Sequence, residues 1–237
     1  MRGLGLALMW AVVPVKDLAG AKARLSPVLS ASERRGLFRA MLRDVLAALA
    51  DTPSLDGIAL ITRDTEAQAL ARRFGAEIIS EDRNSGQTEA VAHGVSQLMA
   101  RGVADIMQVP GDVPLATAVE FEQVIAAHLL APAMTIVPAR DQQGSNCVVC
   151  SPPDSVALRF GDNSFFPHLD AARAAGIEPV ICALPGLGLD IDTPDDLAEL
   201  LTRPADTLSH AYLGDSGIAA RLQNIQGDSS MKAAASA

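Results

Sequence analysis

Short apolar runs alternate with amphipathic stretches along most of the chain. Residues 6–13, Leu-Ala-Leu-Met-Trp-Ala-Val-Val, form one continuous apolar run, as expected of a strand buried on both faces. After a polar loop, Ser30 and Glu33 stand at capping-box spacing. Leu37, Met41, Val45 and Leu49 then recur every four residues, which predicts a helix with one apolar stripe. The same reading predicts further strands over 57–62, 77–80, 105–109, 135–137, 146–149 and 179–184. It places helices over 65–74, 88–100, from a Thr117 cap to about 130, 164–175 and 194–201. The last of these has Thr193 at its N-cap and Pro194 at its first helical position. This alternation predicts an α/β fold: a single-domain, Rossmann-like, mixed but mostly parallel sheet with helices on both faces. Ligands in such folds sit beyond the carboxyl ends of the strands. Three loops qualify, at 14–26, 110–114 and 189–194.

Composition narrows the classes. With 49% hydrophobic and 20% charged residues among 237, the chain is not expected to be disordered as a whole. No run approaches the roughly 20 apolar residues of a membrane span. The first residues carry one arginine and no Ala-x-Ala-like cleavage pattern, so a core strand is expected there rather than a signal peptide. A net charge of −9 and 3% aromatic residues argue against nucleic-acid and anionic-membrane partners. Three cysteines exclude a disulfide scaffold and fit a reducing cytoplasm. Cys147 and Cys150 make a C-x-x-C on an expected strand, where residues three apart point to opposite faces, so both read as buried apolar residues. From about residue 216 the chain is small and polar, and a disordered tail is expected.

The first loop carries Lys16, Lys22 and Arg24 between small residues, directly after a strand. That composition suits a polyphosphate cradle, although neither a Walker loop nor a G-x-G-x-x-G fingerprint is present; a solvated basic loop would look the same. The second loop holds Asp112 between Pro110 and Pro114, a restrained carboxylate that suits Mg²⁺ or serves as a turn residue. In the third, Asp190 and Asp192 alternate with apolar neighbours. On a strand end they would share a face about 7 Å apart and repel unless a cation lies between them. Capping of the next helix accounts for Asp195 and Asp196, but not for Asp190.

Two more segments are candidates. Asn84, Gly86, Gln87 and Thr88 form a polar turn before a helix, suited to a base edge or a phosphate. Ser145, Gly161 and Ser164 lie among small donors, with Ser164 or Asn163 able to cap a helix. His168 reads as a packed histidine of the helix's first turn rather than a catalyst.

In this order, Pro14-Val15-Lys16, Ala21-Lys22-Ala23-Arg24-Leu25, Gly111-Asp112-Val113-Pro114, Gly144-Ser145-Asn146, Phe160-Gly161-x-x-Ser164-Phe165 and Leu189-Asp190-Ile191-Asp192-x-Pro194-x-Asp196-Leu197 resemble the guanylyltransferases that make the phosphodiester precursor of the deazaflavin coenzyme F-420, within the MobA-like nucleotidyltransferases. The resemblance covers nearly all of residues 8–202 and implies one nucleotidyltransferase domain over 1–215. It implies transfer of GMP from GTP to the phosphate of 3-phospho-D-glycerate, phosphoenolpyruvate or 2-phospho-L-lactate, with pyrophosphate released. By matching position, Asp112, Asp190 and Asp192 would hold Mg²⁺ or Mn²⁺. Lys16, Lys22 and Arg24 would face the triphosphate, Asn84, Gly86 and Gln87 the nucleotide, and Ser145, Gly161 and Ser164 the acceptor. It also suggests a cytoplasmic homodimer. Many members carry Gly-Leu-Asn where this chain has Gly86-Gln87-Thr88. The alternatives are a transferase using another nucleotide or acceptor, such as CTP with a phosphonate, and a sugar-nucleotide glycosyltransferase, whose metal motif Asp190-x-Asp192 imitates.

Overall fold

A computed structural model describes residues 8–80, 87–161 and 163–224. The chain opens on β1 (Leu8–Pro14) and α1 (Ala31–Ala50), followed by β2 (Gly57–Ile61), α2 (Thr65–Arg72) and β3 (Glu77–Ile79). Next come α3 (Gln87–Met99), β4 (Val103–Gln108), α4 (Ala118–Ala127), β5 (Ala133–Pro138) and β6 (Ser145–Ser151). α5 (Phe165–Ala174), β7 (Val180–Ile181), α6 (Pro194–Thr202) and α7 (Leu208–Asp215) complete the order. The sheet has seven strands in the order β3-β2-β1-β4-β6-β5-β7. The expected mixed, mostly parallel α/β architecture is the one observed. β1 pairs in parallel with β2 and β4, β2 with β3, and β5 with β7. β6 runs against both β4 and β5. Only a short loop joins β5 to β6, which suits an antiparallel pair, whereas the parallel neighbours need helical crossovers.

Helix starts follow local chemistry. Ser30 Oγ accepts the Glu33 N–H while the Glu33 carboxylate accepts the Ser30 N–H, and Thr193 and Asp196 repeat that box at α6. Leu37, Met41, Val45 and Leu49 are all buried in the main core, which packs α1, α2, α4, α6 and α7 on one face of the sheet. α3 and α5 cover the other face, over Ile106 and Val148 respectively. Cys147 joins the first core and Cys150 the second, on opposite faces of β6 as expected.

Several boundaries differ from expectation. β7 keeps two residues instead of the run 179–184, because it pairs only with β5 at the sheet edge before the chain turns. α4 stops at Ala127 because His128 leaves helical geometry and turns its ring onto the hydroxyls of Thr135 and Ser151. α7 was not expected. It is held by Asp44, whose carboxylate accepts from Leu208 N, Ser209 N and Ser209 Oγ. Residues 218–224 are also helical and bury Ile218 and Leu222, beyond the residue where the expected tail begins. The remainder of that tail, from 225, lies outside the described residues.

Candidate active site

The carboxyl ends of β1 and β4 and the start of the reversed β6 meet at one edge of the sheet. The loops leaving that edge enclose a cavity of about 550 Å³, lined by Arg24, Asp112, Ser145, Gly161, Ser164, Asp190 and Asp192 among others. Seven residues expected from sequence thus converge on one cavity from across the chain. Lys16 is exposed and does not line it. Asn84 and Gly86 lie outside the described residues, and Gln87 is the first residue of α3.

Lys22 is not extended into an open cradle. Its backbone is left-handed (φ 57°) at the cap of the short 3₁₀ turn Ala23–Leu25, a conformation that costs a non-glycine residue of order 1 kcal/mol. From there its side chain, 5% exposed, reaches into the acidic cluster, where Nζ donates to Asp112 and to Asp192 Oδ1, the latter at 2.6 Å. Burial alone would push the ammonium down, but the Asp112 and Asp192 carboxylates outweigh it and hold its pKa above the usual lysine value. Arg24 Nη1 stands 3.9 Å from Asp192 Oδ2.

Asp190 and Asp192 lie outside the sheet, on the segment before α6, with Ile191 fully buried between them. Ile191 N donates to the Asp112 carbonyl at 3.1 Å, which ties the two carboxylate loops together. Burial, with the Asp112 charge next, pushes the Asp190 carboxyl up to about 6, against the hydrogen bond it accepts from Asn146. Asp192 lies below the usual carboxylate range, because the charges of Lys22 and Arg24 overcome its burial. Asp112 Oδ1 is buried with no hydrogen-bond partner among the described residues. Among those residues no three carboxylate, imidazole or thiol groups are gathered into a ready metal cage. The ammonium of Lys22 fills the space between Asp112 and Asp192 instead.

Sequence reasoning missed the residues that support this arrangement. Asn146 Nδ2 donates to the Leu187 carbonyl at 2.9 Å and to Asp190 Oδ1 at 3.0 Å. A buried amide inside an apolar strand was the available signal. Glu120, on α4, is 8% exposed and accepts from Gly186 N (2.7 Å) and Leu187 N (3.0 Å), in the turn just before Asp190. A Cβ at Gly186 would meet the Leu115 carbonyl at 2.2 Å, so this approach requires glycine. Nothing in the sequence separates Glu120 from a solvated helix residue. Glu120→Gln turns an amide donor toward one of these N–H groups and is expected to cost about 1–3 kcal/mol. The denaturation midpoint reads it, and an unchanged midpoint refutes the anchoring role.

On the other side of the cavity, Ser164 occupies the cap position of α5 but makes no side-chain cap bond, contrary to expectation. Its hydroxyl donates instead to Ser145 Oγ at 3.4 Å. Gly161, on the loop between them, has φ +147°, a conformation that excludes other residues without strain. Thr88 Oγ1 accepts the Phe160 N–H at 3.0 Å and so links α3 to this loop. Hydrogen bonds gather the lining residues into two groups: Asp112 and Asp192 around Lys22, with Asp190 on Asn146, and Ser145 with Ser164. Such an arrangement suits two anionic ligands placed end to end around a cation.

The chain is similar to known proteins over most of its length. The family model described as "Guanylyl transferase CofC like" matches residues 9–231. A phosphoenolpyruvate guanylyltransferase of Conexibacter woesei is 34% identical over 192 residues, covering 81% of this chain and 86% of its own. A 2-phospho-L-lactate guanylyltransferase of Methanothermobacter thermautotrophicus is 32% identical over 203 residues, covering 86% and 88%. In structure, the chain is similar to a Desulfovibrio desulfuricans protein assigned to the nucleotide-diphospho-sugar transferases, with TM-score 0.74, 17% identity, and 92% and 99% of the two chains covered. That last likeness speaks for the fold alone.

Proposed function

We infer the reaction from a premise already in hand, that this chain belongs to the CofC-like guanylyl transferase family: it transfers GMP from GTP to the phosphate of a small phosphorylated acid and releases pyrophosphate. The observation that carries the reading is a single cavity that brings Asp112, Asp190, Asp192 and Arg24 together with Ser145, Gly161 and Ser164. An acceptor phosphate oxygen attacks the α-phosphorus of GTP, the new P–O bond forms, and the bond to the bridging oxygen of the β-phosphate breaks. A phosphate monoester is largely dianionic at neutral pH, its second pKa being about 6, so no residue need remove a proton from the nucleophile. The barrier is the approach of two anions, and positioning and charge are what the protein must supply.

Asp112, Asp190 and Asp192 fit a divalent cation. One buried Asp112 oxygen has no partner among the described residues, and an ammonium already balances the carboxylates. Mg²⁺ takes one or two carboxylates and completes its shell with water and phosphate oxygens, so a ready cage is not required. When bound, the ion supplies charge stabilisation for the transferring phosphoryl group and the pyrophosphate. Arg24, which lines the cavity, serves the same anions from the first loop, and Lys22 holds Asp112 and Asp192 in place. The Ser145 hydroxyl, supported by Ser164, and the backbone at Gly161 receive the acceptor.

Pyrophosphate release with Mg²⁺, measured across the four ribonucleoside triphosphates and the three phospho-acids, tests the reading. Release with GTP and one acid supports it and names the acceptor; release with CTP but not GTP, or with no pair from folded protein, overturns it. Ser164→Ala should raise the acceptor KM about two- to tenfold, since it removes one hydrogen bond that orients Ser145, worth about 0.5–1.5 kcal/mol, with the GTP KM within about twofold of wild type. Equal rises in both would place the acceptor elsewhere.

A further inference from the structure

The two cavity serines are backed by a side chain that does not line the cavity. His168, in the first turn of α5, is 1% exposed. Its Nε2 accepts the Arg159 N–H at 3.0 Å, so that nitrogen carries no hydrogen. In the neutral ring the proton is therefore on Nδ1, which lies 2.9 Å from Ser145 Oγ and donates to it. Ser164 donates to the same oxygen from the other side. A hydroxyl has two lone pairs and one hydrogen. Both lone pairs of Ser145 are thus engaged, and its hydrogen is left to point into the cavity.

We propose that His168 is a positioning residue that fixes Ser145 as a hydrogen-bond donor to the anionic group of the acceptor. The proposal rests on the reading above that the acceptor is a phosphorylated acid. A freely rotating hydroxyl could present a lone pair to that anion; one held from behind cannot, and its orientation is prepaid before the substrate arrives. The same ring organises the neighbouring loop. The Phe160 ring packs edge-on to His168, with centroids 5.0 Å apart. Successive N–H groups are thereby anchored on two elements, Arg159 on His168 and Phe160 on Thr88, immediately before Gly161. Burial pushes the His168 pKa down to about 4, so the ring is neutral where the enzyme works.

Two measurements test this on the full-length protein. Nitrogen-15 NMR of the imidazole reads the tautomer without any activity: protonation on Nδ1 supports the proposal, and protonation on Nε2 overturns it. Kinetics then read the consequence. His168→Gln keeps an acceptor near the Arg159 N–H but loses the donor to Ser145, and should raise the acceptor KM about tenfold with the GTP KM near wild type, a loss on the scale of one charge-directed hydrogen bond. His168→Asn, which retains a donor at the Nδ1 position, should recover much of that loss. In a Ser145→Ala background, His168→Gln should add nothing, whereas a merely structural role would give additive effects. Additivity, or equal rises in both KM values, overturns the proposal. If wild-type protein uses no phospho-acid, the reaction assignment fails on its own, while the tautomer still reports on His168.

Discussion

Replacing Asp112 with asparagine is expected to lower turnover at least a thousandfold and to leave the fold in place. The loop carrying it is fixed by backbone bonds that the substitution does not touch, notably Ile191 N to the Asp112 carbonyl. What changes is the charge at a carboxylate that meets Lys22 and has a buried oxygen with no hydrogen-bond partner among the described residues. A neutral amide there weakens cation binding and places N–H groups where an acceptor oxygen is required. A thousandfold loss corresponds to about 4 kcal/mol of transition-state stabilisation, within what charge stabilisation of a phosphoryl group supplies. Pyrophosphate release at saturating Mg²⁺, beside a thermal melt, is the check. A near-wild-type rate for D112N would remove this residue from the metal and phosphate chemistry.

Lys22→Met should have the second-largest effect, and on two observables. The variant keeps the length of the side chain but leaves Asp112, Asp190 and Asp192 without their buried cation, Arg24 remaining 3.9 Å from Asp192. Removing one partner of a buried pair costs about 3–5 kcal/mol, and since Asp192 remains partly in contact with solvent the lower end applies. For a domain of this size that lowers the melting temperature in EDTA by roughly 6–12 °C. Mg²⁺ should then stabilise K22M more than wild type, because the ion no longer competes with an ammonium for the same oxygens. Equal melting temperatures in EDTA, or an equal response to Mg²⁺, would show that the lysine does not hold the cluster together. Turnover should fall as well, since the lysine positions two of the three carboxylates proposed to hold the cation.

Much of this organisation was legible because local chemistry and tertiary structure agree. The Ser30–Glu33 and Thr193–Asp196 boxes mark the true starts of α1 and α6, and the spacing of four from Leu37 to Leu49 marks the face that α1 buries. The loops that follow strand ends hold Arg24, Asp112, Asp190 and Asp192, and the cavity brings them together. Other features depend on partners distant in sequence. α7 has only Ser209 and Leu213 buried, too weak a stripe to announce a helix, and its capping carboxylate, Asp44, comes from α1. Ser164 is an ordinary cap residue by position, yet its hydroxyl serves Ser145. Lys22 reads as one basic residue of three; only its left-handed backbone and two carboxylates from elsewhere turn it inward. Short polar contacts between remote segments leave no periodicity to detect.

The reversal of β6 has a consequence for how such a protein can diversify. Because that strand starts where its neighbours end, the residues proposed to face the acceptor, from Ser145 to Ser164, fall in one stretch of chain, while those proposed to face the triphosphate and the cation are spread from the first loop to Asp192. Substitutions confined to that one stretch can therefore retune acceptor choice as a unit, with Asn146 tying it to Asp190 and the Leu187 carbonyl.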